Sequence, residues 1–283
     1  MRWVGRRQSI NVEDRRGLGR GGIAIGGGVG AIIITLIMLF LGGDPGTILA
    51  PEQGSYIPGS PASSVAATQN DEMKQFVSVV LADTEDFWTQ QFQELGRTYV
   101  PPTLVLFTGS VQTGSGVATS ATGPFYSPPD QRVYIDLSFY QELTDRFQAP
   151  GDFAQAYVIA HEVGHHVQNL LGTLDWANAQ EQQLGGAAAN DISVRVELQA
   201  DFYAGLWANY AQDALGVLQP GDIEEALNAA SAIGDDRIQM QSQGYVTPDS
   251  FTHGTSAQRT RWFSLGYDTG DFSLGDTFSA STL

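Results

Sequence analysis

Apolar residues recur at a helical period along most of the chain beyond residue 70 and alternate only briefly. Phe76, Val77, Val80, Leu81, Phe87, Trp88, Phe92 and Leu95 share the period of a helix that starts near Asp71 and stops at Gly96. After the Pro101-Pro102 break, residues 103–107 read as a short strand, the Gly/Ser/Thr-rich 108–123 as loop, and residues 127–131 as a turn. Residues 132–137, RVYIDL, alternate with Val133 and Ile135 on one side. They form either an edge strand that pairs with an extended substrate or a plain structural strand. Residues 138–147 read as a connecting helix.

The strongest pattern is AYVIAHEVGHHVQNLL over residues 156–171, where Ala156, Val158, Ile159, Val163, Val167, Leu170 and Leu171 surround a helix. Gly164 in its middle lets another segment approach closely. A polar, Gly/Ala-rich connection over 172–190 leads to a second helix, ISVRVELQADFYAGLWANYAQDAL, apolar around Val194, Val196, Leu198, Phe202, Leu206 and Trp207. Residues 222–240 read as one further amphipathic helix. Thr255 or Ser256 caps a last helix carrying Arg259, Arg261, Trp262 and Phe263, and the tail 271–283 reads as frayed.

The N-terminal third is different. Residues 23–41 run 19 positions without a charge, near the ~20 that a membrane-spanning helix needs. Six of the 14 basic residues lie in the leader, 1–22. That bias predicts a cytoplasmic N-terminus, a single transmembrane helix and an extracytoplasmic domain at the cell membrane. A cleaved signal peptide fits less well, because Ile48-Leu49-Ala50 supplies a small residue only at its last position. Residues 42–70, rich in Gly, Pro, Ser, Ala and Thr, read as a flexible linker.

Composition narrows the chemistry. A net charge of −17 argues against nucleic acid as a partner. With no cysteine, disulfides and thiolate zinc ligands are excluded, so a metal would rest on imidazole and carboxylate.

The helix over 156–171 supplies both. His161 and His165 stand four residues apart on one face, where both imidazoles reach one ion, with Glu162 beside the water that the ion activates. A carboxylate there takes the water's proton and passes it to a leaving amine. His166 lies about 100° further round the helix and cannot join that face, which leaves it a structural or supporting role. A third ligand is needed, and among the remaining residues Glu197 on the next helix has the best claim. Asp201, one turn later, is placed to accept the other N–H of a ligating histidine. His253, in the loop before the last helix, or Arg259 within that helix, is a candidate to stabilise the developing oxyanion.

HEVGHHVQNLLG at 161–172, VRVELQADFYAGLWA at 194–208, HGTSAQRTRWFSLGY at 253–267 and the leader MRWVGRRQSINVEDRRG together resemble the bacterial neutral zinc metallopeptidases of the YpfJ type. The likeness covers nearly the whole chain except linker and tail. It implies a gluzincin-like peptidase with Zn2+ on His161, His165 and Glu197, Glu162 as general base, and the family's late His-Gly-Thr-Ser segment on His253. The family commonly has Cys after the Glu-Leu-Gln-Ala-Asp run, where this chain has Phe202, so a family disulfide is not expected here.

The expectation is therefore an α+β fold: a mainly helical, zincin-like metallopeptidase domain with a small sheet over 71–270, preceded by a single transmembrane helix. Its activity would be zinc-dependent cleavage of polypeptide at the membrane. The rival class is a noncatalytic zincin-fold scaffold or binding module, and chelator-sensitive hydrolysis of unfolded casein separates the two.

Overall fold

The computed structural model describes residues 1–17 and 63–283. It is mainly helical with a small sheet, as the hydrophobic pattern implies. Helix α1 (Ser63–Glu94) starts inside the tract read as linker and buries Phe76, Val77, Val80, Leu81, Trp88 and Phe92. It stops at Gly96, whose positive φ of 69° turns the chain away.

The sheet is assembled from distant pieces. Strands β1 (Val12–Asp14), β2 (Thr103–Phe107) and β6 (Arg132–Asp136) run parallel, and β5 (Phe125–Ser127) closes the far side antiparallel to β6. The order is β1-β2-β6-β5. Leu104, Leu106, Val133 and Ile135 face the main core, while Val105, Phe107 and Tyr134 face a smaller cluster. That second face is covered by Val111 and Ala118 of the hairpin β3 (Ser110–Thr113) and β4 (Gly116–Thr119). The tract 108–123, expected to be loop, thus contains a hairpin. Its turn residues dominate the composition and hide two short strands.

Of the two readings of residues 132–137, a substrate-pairing edge strand or a plain structural strand, the register excludes the first. β6 has a hydrogen-bonded neighbour on each side, and the edges of the four-stranded sheet are β1 and β5.

Helix α2 (Phe139–Asp145) leads into α3 (Asp152–Leu171), the helix of the His-Glu-x-x-His run. Helix α4 (Thr173–Leu184) occupies the connection that carries no clear period, and α5 (Gly186–Asp213) follows. A Cβ on Gly164 would meet the Ala200 backbone at 3.1 Å, so glycine there allows α3 to lie directly on α5. The stretch 222–240 is two helices, α6 (Asp222–Ala232) and α7 (Asp235–Gln243), and not one. They break at Gly234, where a side chain would strike the Ser256 backbone at 2.4 Å. Helix α8 (Ser256–Thr269) begins with Thr255 as a capping box partner of Gln258. It crosses α5 at Gly205 and Gly266 with nearly touching backbones.

Two termini differ from expectation. The leader is built into the domain: Asn11 O accepts Leu104 N–H at 2.8 Å, and Arg2 N–H bonds Val217 O at 2.8 Å. Arg6 pairs with Asp83 at 2.9 Å and Arg7 with Asp86 at 2.8 Å, while Ser9 and Asn11 both donate to Glu85. Arg6 and Arg7 therefore answer carboxylates of α1, while Arg15 and Arg16 pair with Glu13 and Asp14 of β1. Among the described residues no helix is long and apolar enough to cross a membrane, and the stretch 23–41 lies outside the described residues. A leader on the cytoplasmic side with its domain on the other is overturned by β1 itself. One crossing between residues 17 and 63 would separate strands that are hydrogen-bonded to each other.

The tail, expected to fray, is docked on α5. The Phe272 ring stacks on Tyr203 with centroids 5.6 Å apart, Thr277 is fully buried, and Arg195 reaches the carbonyls of Thr277 and Ala280. Backbone acceptors of a polar tail satisfy a guanidinium, which residue composition does not reveal.

Candidate metal centre

Helices α3 and α5 bring His161, His165 and Glu197 together, with one donor atom from each lying within 4.8 Å of the others. His161 Nε2 is 3.2 Å from one Glu197 oxygen and His165 Nε2 is 3.4 Å from the other. Ligand bonds of about 2.1 Å place the donors of a tetrahedral zinc site about 3.4 Å apart, which these separations match.

The opposite ring nitrogens are already used. His161 Nδ1 meets Asp201 at 2.9 Å and His165 Nδ1 meets Gln168 Oε1 at 2.9 Å. With Nδ1–H donating to each acceptor, both Nε2 lone pairs point at the shared position. The donor set therefore fits zinc. A second acidic group, Asp152, Asp222 and Glu225, has no histidine, and Asp152 takes the Met1 amino group at 2.6 Å.

Asp201 is fully buried and accepts from Tyr157 Oη at 2.5 Å and from Arg259 Nε at 2.8 Å and Nη2 at 3.0 Å. Burial opposes its charge, but Arg259 and His161 outweigh that and hold its pKa below the usual range. Burial likewise opposes charge on His161, yet Asp201 and Glu197 raise it to about 10. Two carboxylates around this imidazole thus favour positive charge where the donors converge. Burial also pushes the Glu162 carboxyl up. Glu162 follows His161 directly on α3 and lines a cavity together with His161, His165 and Glu197, its carboxylate without a hydrogen bond from the described residues.

His253 and Arg259 divide between two positions. Arg259 is committed to Asp201, whereas His253 Nδ1 bonds Asp235 at 3.1 Å and its Nε2 has no partner among the described residues. His253 and Glu162 both line a cavity of about 270 Å³ that also takes in Phe125, Tyr126, Phe139 and Val158. His166 is fully buried: Nε2–H donates to Val100 O at 2.7 Å and Nδ1 meets Tyr126 Oη at 3.0 Å. Burial pulls it down to about 4, so it stays neutral and ties β5 to α3.

Sequence reasoning missed Tyr157, Gln168 and Asp235. Tyr157 lies one turn before His161, and Gln168 one turn after His165, so helical spacing could have found both. Asp235 is 18 positions from His253 and carried no such signal.

The family of the description "putative neutral zinc metallopeptidase" matches residues 1–278. The chain belongs to this family. It is 51% identical over 293 residues to the uncharacterized protein YpfJ of Escherichia coli (strain K12), covering 99% of this chain and 100% of that one. It is 43% identical over 259 residues to the uncharacterized protein Mb2605 of Mycobacterium bovis, covering 87% of this chain and 86% of that one. No solved structure matches it. The match reaches into the leader, in keeping with the packing of β1 against β2.

Proposed function

We propose that this chain is an endopeptidase that holds one zinc ion on His161, His165 and Glu197 and hydrolyses peptide bonds in extended polypeptides. The observation that carries the reading is the pair of imidazoles whose Nδ1 atoms are engaged by Asp201 and Gln168 while both Nε2 atoms face Glu197. Zinc supplies Lewis acidity, polarising a carbonyl and making water acidic near pH 7.

The chain's own groups do the rest. Glu162, buried beside the ligands with an unengaged carboxylate, takes the proton of the attacking water and delivers it to the leaving amine. A structural zinc site has no use for such a group, which favours catalysis over a scaffold role. His253, its ring held through Nδ1 by Asp235, offers Nε2 to the oxyanion. Arg259 and Tyr157 keep the Asp201 carboxylate turned to His161. An extended substrate pairs with the outer edge of β5, which has no strand neighbour among the described residues and whose own Phe125 and Tyr126 line the cavity.

The test uses zinc-loaded protein and unfolded casein. The parent cleaves, a chelator stops it, and Glu162→Gln retains zinc without cleaving. A parent inert toward unfolded polypeptide, or a Glu162→Gln variant as active as the parent, overturns the proposal.

A further inference from the structure

Behind His165 runs a chain of amides whose polarity is set by two backbone carbonyls, Val196 O on α5 and Gly275 O in the C-terminal tail. The Gly275 carbonyl, in the C-terminal tail, can only accept, and Gln199 Nε2 donates to it at 2.8 Å. That turns Gln199 Oε1 toward Gln168, whose Nε2 donates to it at 3.1 Å and to Val196 O at 2.7 Å. Gln168 Oε1 is then left facing His165 Nδ1 at 2.9 Å. Because that oxygen can only accept, His165 must carry its proton on Nδ1 and present a bare Nε2 toward Glu197.

We infer that Gln168 and Gln199 are positioning residues for the metal, and that the docked tail around Gly275 acts through them, together with Val196 O, to hold the ring orientation and tautomer of His165. The inference rests on the reading of His161, His165 and Glu197 as ligands, and extends it to residues that touch neither metal nor substrate. Neither glutamine has another role in the proposed mechanism. Both are buried, where an amide facing the wrong way would leave a carbonyl or an N–H without a partner.

The tail is held for this purpose at several points. Thr277 Oγ1–H donates to Arg195 O at 2.7 Å, and Arg195 returns bonds to the carbonyls of Thr277 and Ala280. Gly275 lies against the Phe202 ring so closely that a Cβ would sit 2.5 Å from it. Adding a methyl group there must displace either the buried Phe202 ring or the tail backbone that carries the relay's first carbonyl.

Two readouts test the relay: zinc affinity by chelator competition, and solvent exchange of the His165 Nδ1–H proton by NMR in zinc-free protein. Gln168→Leu is expected to weaken zinc 10- to 100-fold, the range for outer partners of ligating histidines, and to expose the Nδ1–H to exchange. Gln199→Leu and Gly275→Ala are expected to weaken zinc about tenfold with faster exchange. Phe278→Ala, which removes a tail ring packed on Trp176, serves as control and should leave both readouts at parent values while lowering the melting temperature. Zinc affinity and proton exchange at parent values in folded Gln168→Leu and Gly275→Ala overturn the inference. So does an equal affinity loss in Phe278→Ala, which would make the effect one of general stability. The exchange measurement needs neither zinc nor activity, so it separates failure of the relay from failure of the peptidase reading.

Discussion

The Asp235 carboxylate bonds His253 Nδ1 at 3.1 Å through one oxygen and takes the backbone amides of Thr252, His253 and Gly254 on the other. One side chain thus shapes the loop and orients the ring it carries. Burial opposes charge on His253, but Asp235 outweighs it and raises the imidazole pKa. His253→Ala should lower kcat by about 10²- to 10³-fold with little change in KM, the usual cost of losing an oxyanion donor. Asp235→Asn should cost about tenfold, since the loop keeps an acceptor but the ring loses its anchor. Steady-state kinetics decide it: an unchanged kcat in His253→Ala removes this residue from the reaction.

Burial pushes the Asp83 carboxyl up to about 6, against the pull of Arg6 at 2.9 Å. Its folded pKa lies above the unfolded value of about 3.9, so the folded state holds the proton more tightly. The contribution to stability is full below the unfolded value and is lost as pH rises through about 6. Asp83→Asn removes this titration. The melting temperature of the parent minus that of the variant should fall by a few degrees between about pH 4 and pH 8. Parallel curves would show that Asp83 does not titrate in this range.

Helices α5 and α8 meet where a Cβ on Gly205 would lie 2.1 Å from Phe263 O, and one on Gly266 would lie 2.2 Å from Phe202 O. The same crossing delivers Arg259 to Asp201. Gly205→Ala should therefore destabilise the protein by about 2–3 kcal/mol through overpacking, read by urea denaturation. It should also weaken zinc binding, because the carboxylate behind His161 loses its partner. A variant as stable as the parent would mean that the two helices part without cost.

Zinc bound to the folded state alone must stabilise it by mass action, each tenfold of free ion above Kd adding about 1.4 kcal/mol. Chelation should lower the melting temperature, and added zinc should restore it. His165→Ala should lose that dependence. A melting temperature indifferent to zinc in the parent would speak against a folded metal centre.

Much of the fold was legible in the chain. The apolar period around His161, Glu162 and His165 marks a buried helix, and the all-round apolar character of the Glu197 helix places a carboxylate inside. β1 was hidden because it is three residues of mixed polarity whose partners lie some ninety positions away. The same is true of the tail, whose anchors are backbone carbonyls.

The chain alone determined which residues are able to hold a metal, because residue type and four-residue spacing on a helix are local facts. It could not determine which side of the domain the leader joins, which strands are the sheet edges, or which of His253 and Arg259 is taken up by Asp201. Those depend on packing between segments far apart in sequence: β1 on β2, β5 beyond β6, and α8 against α5. Only tertiary structure decides them, since a strand's edge or a ring's free nitrogen is defined by what its other side already touches.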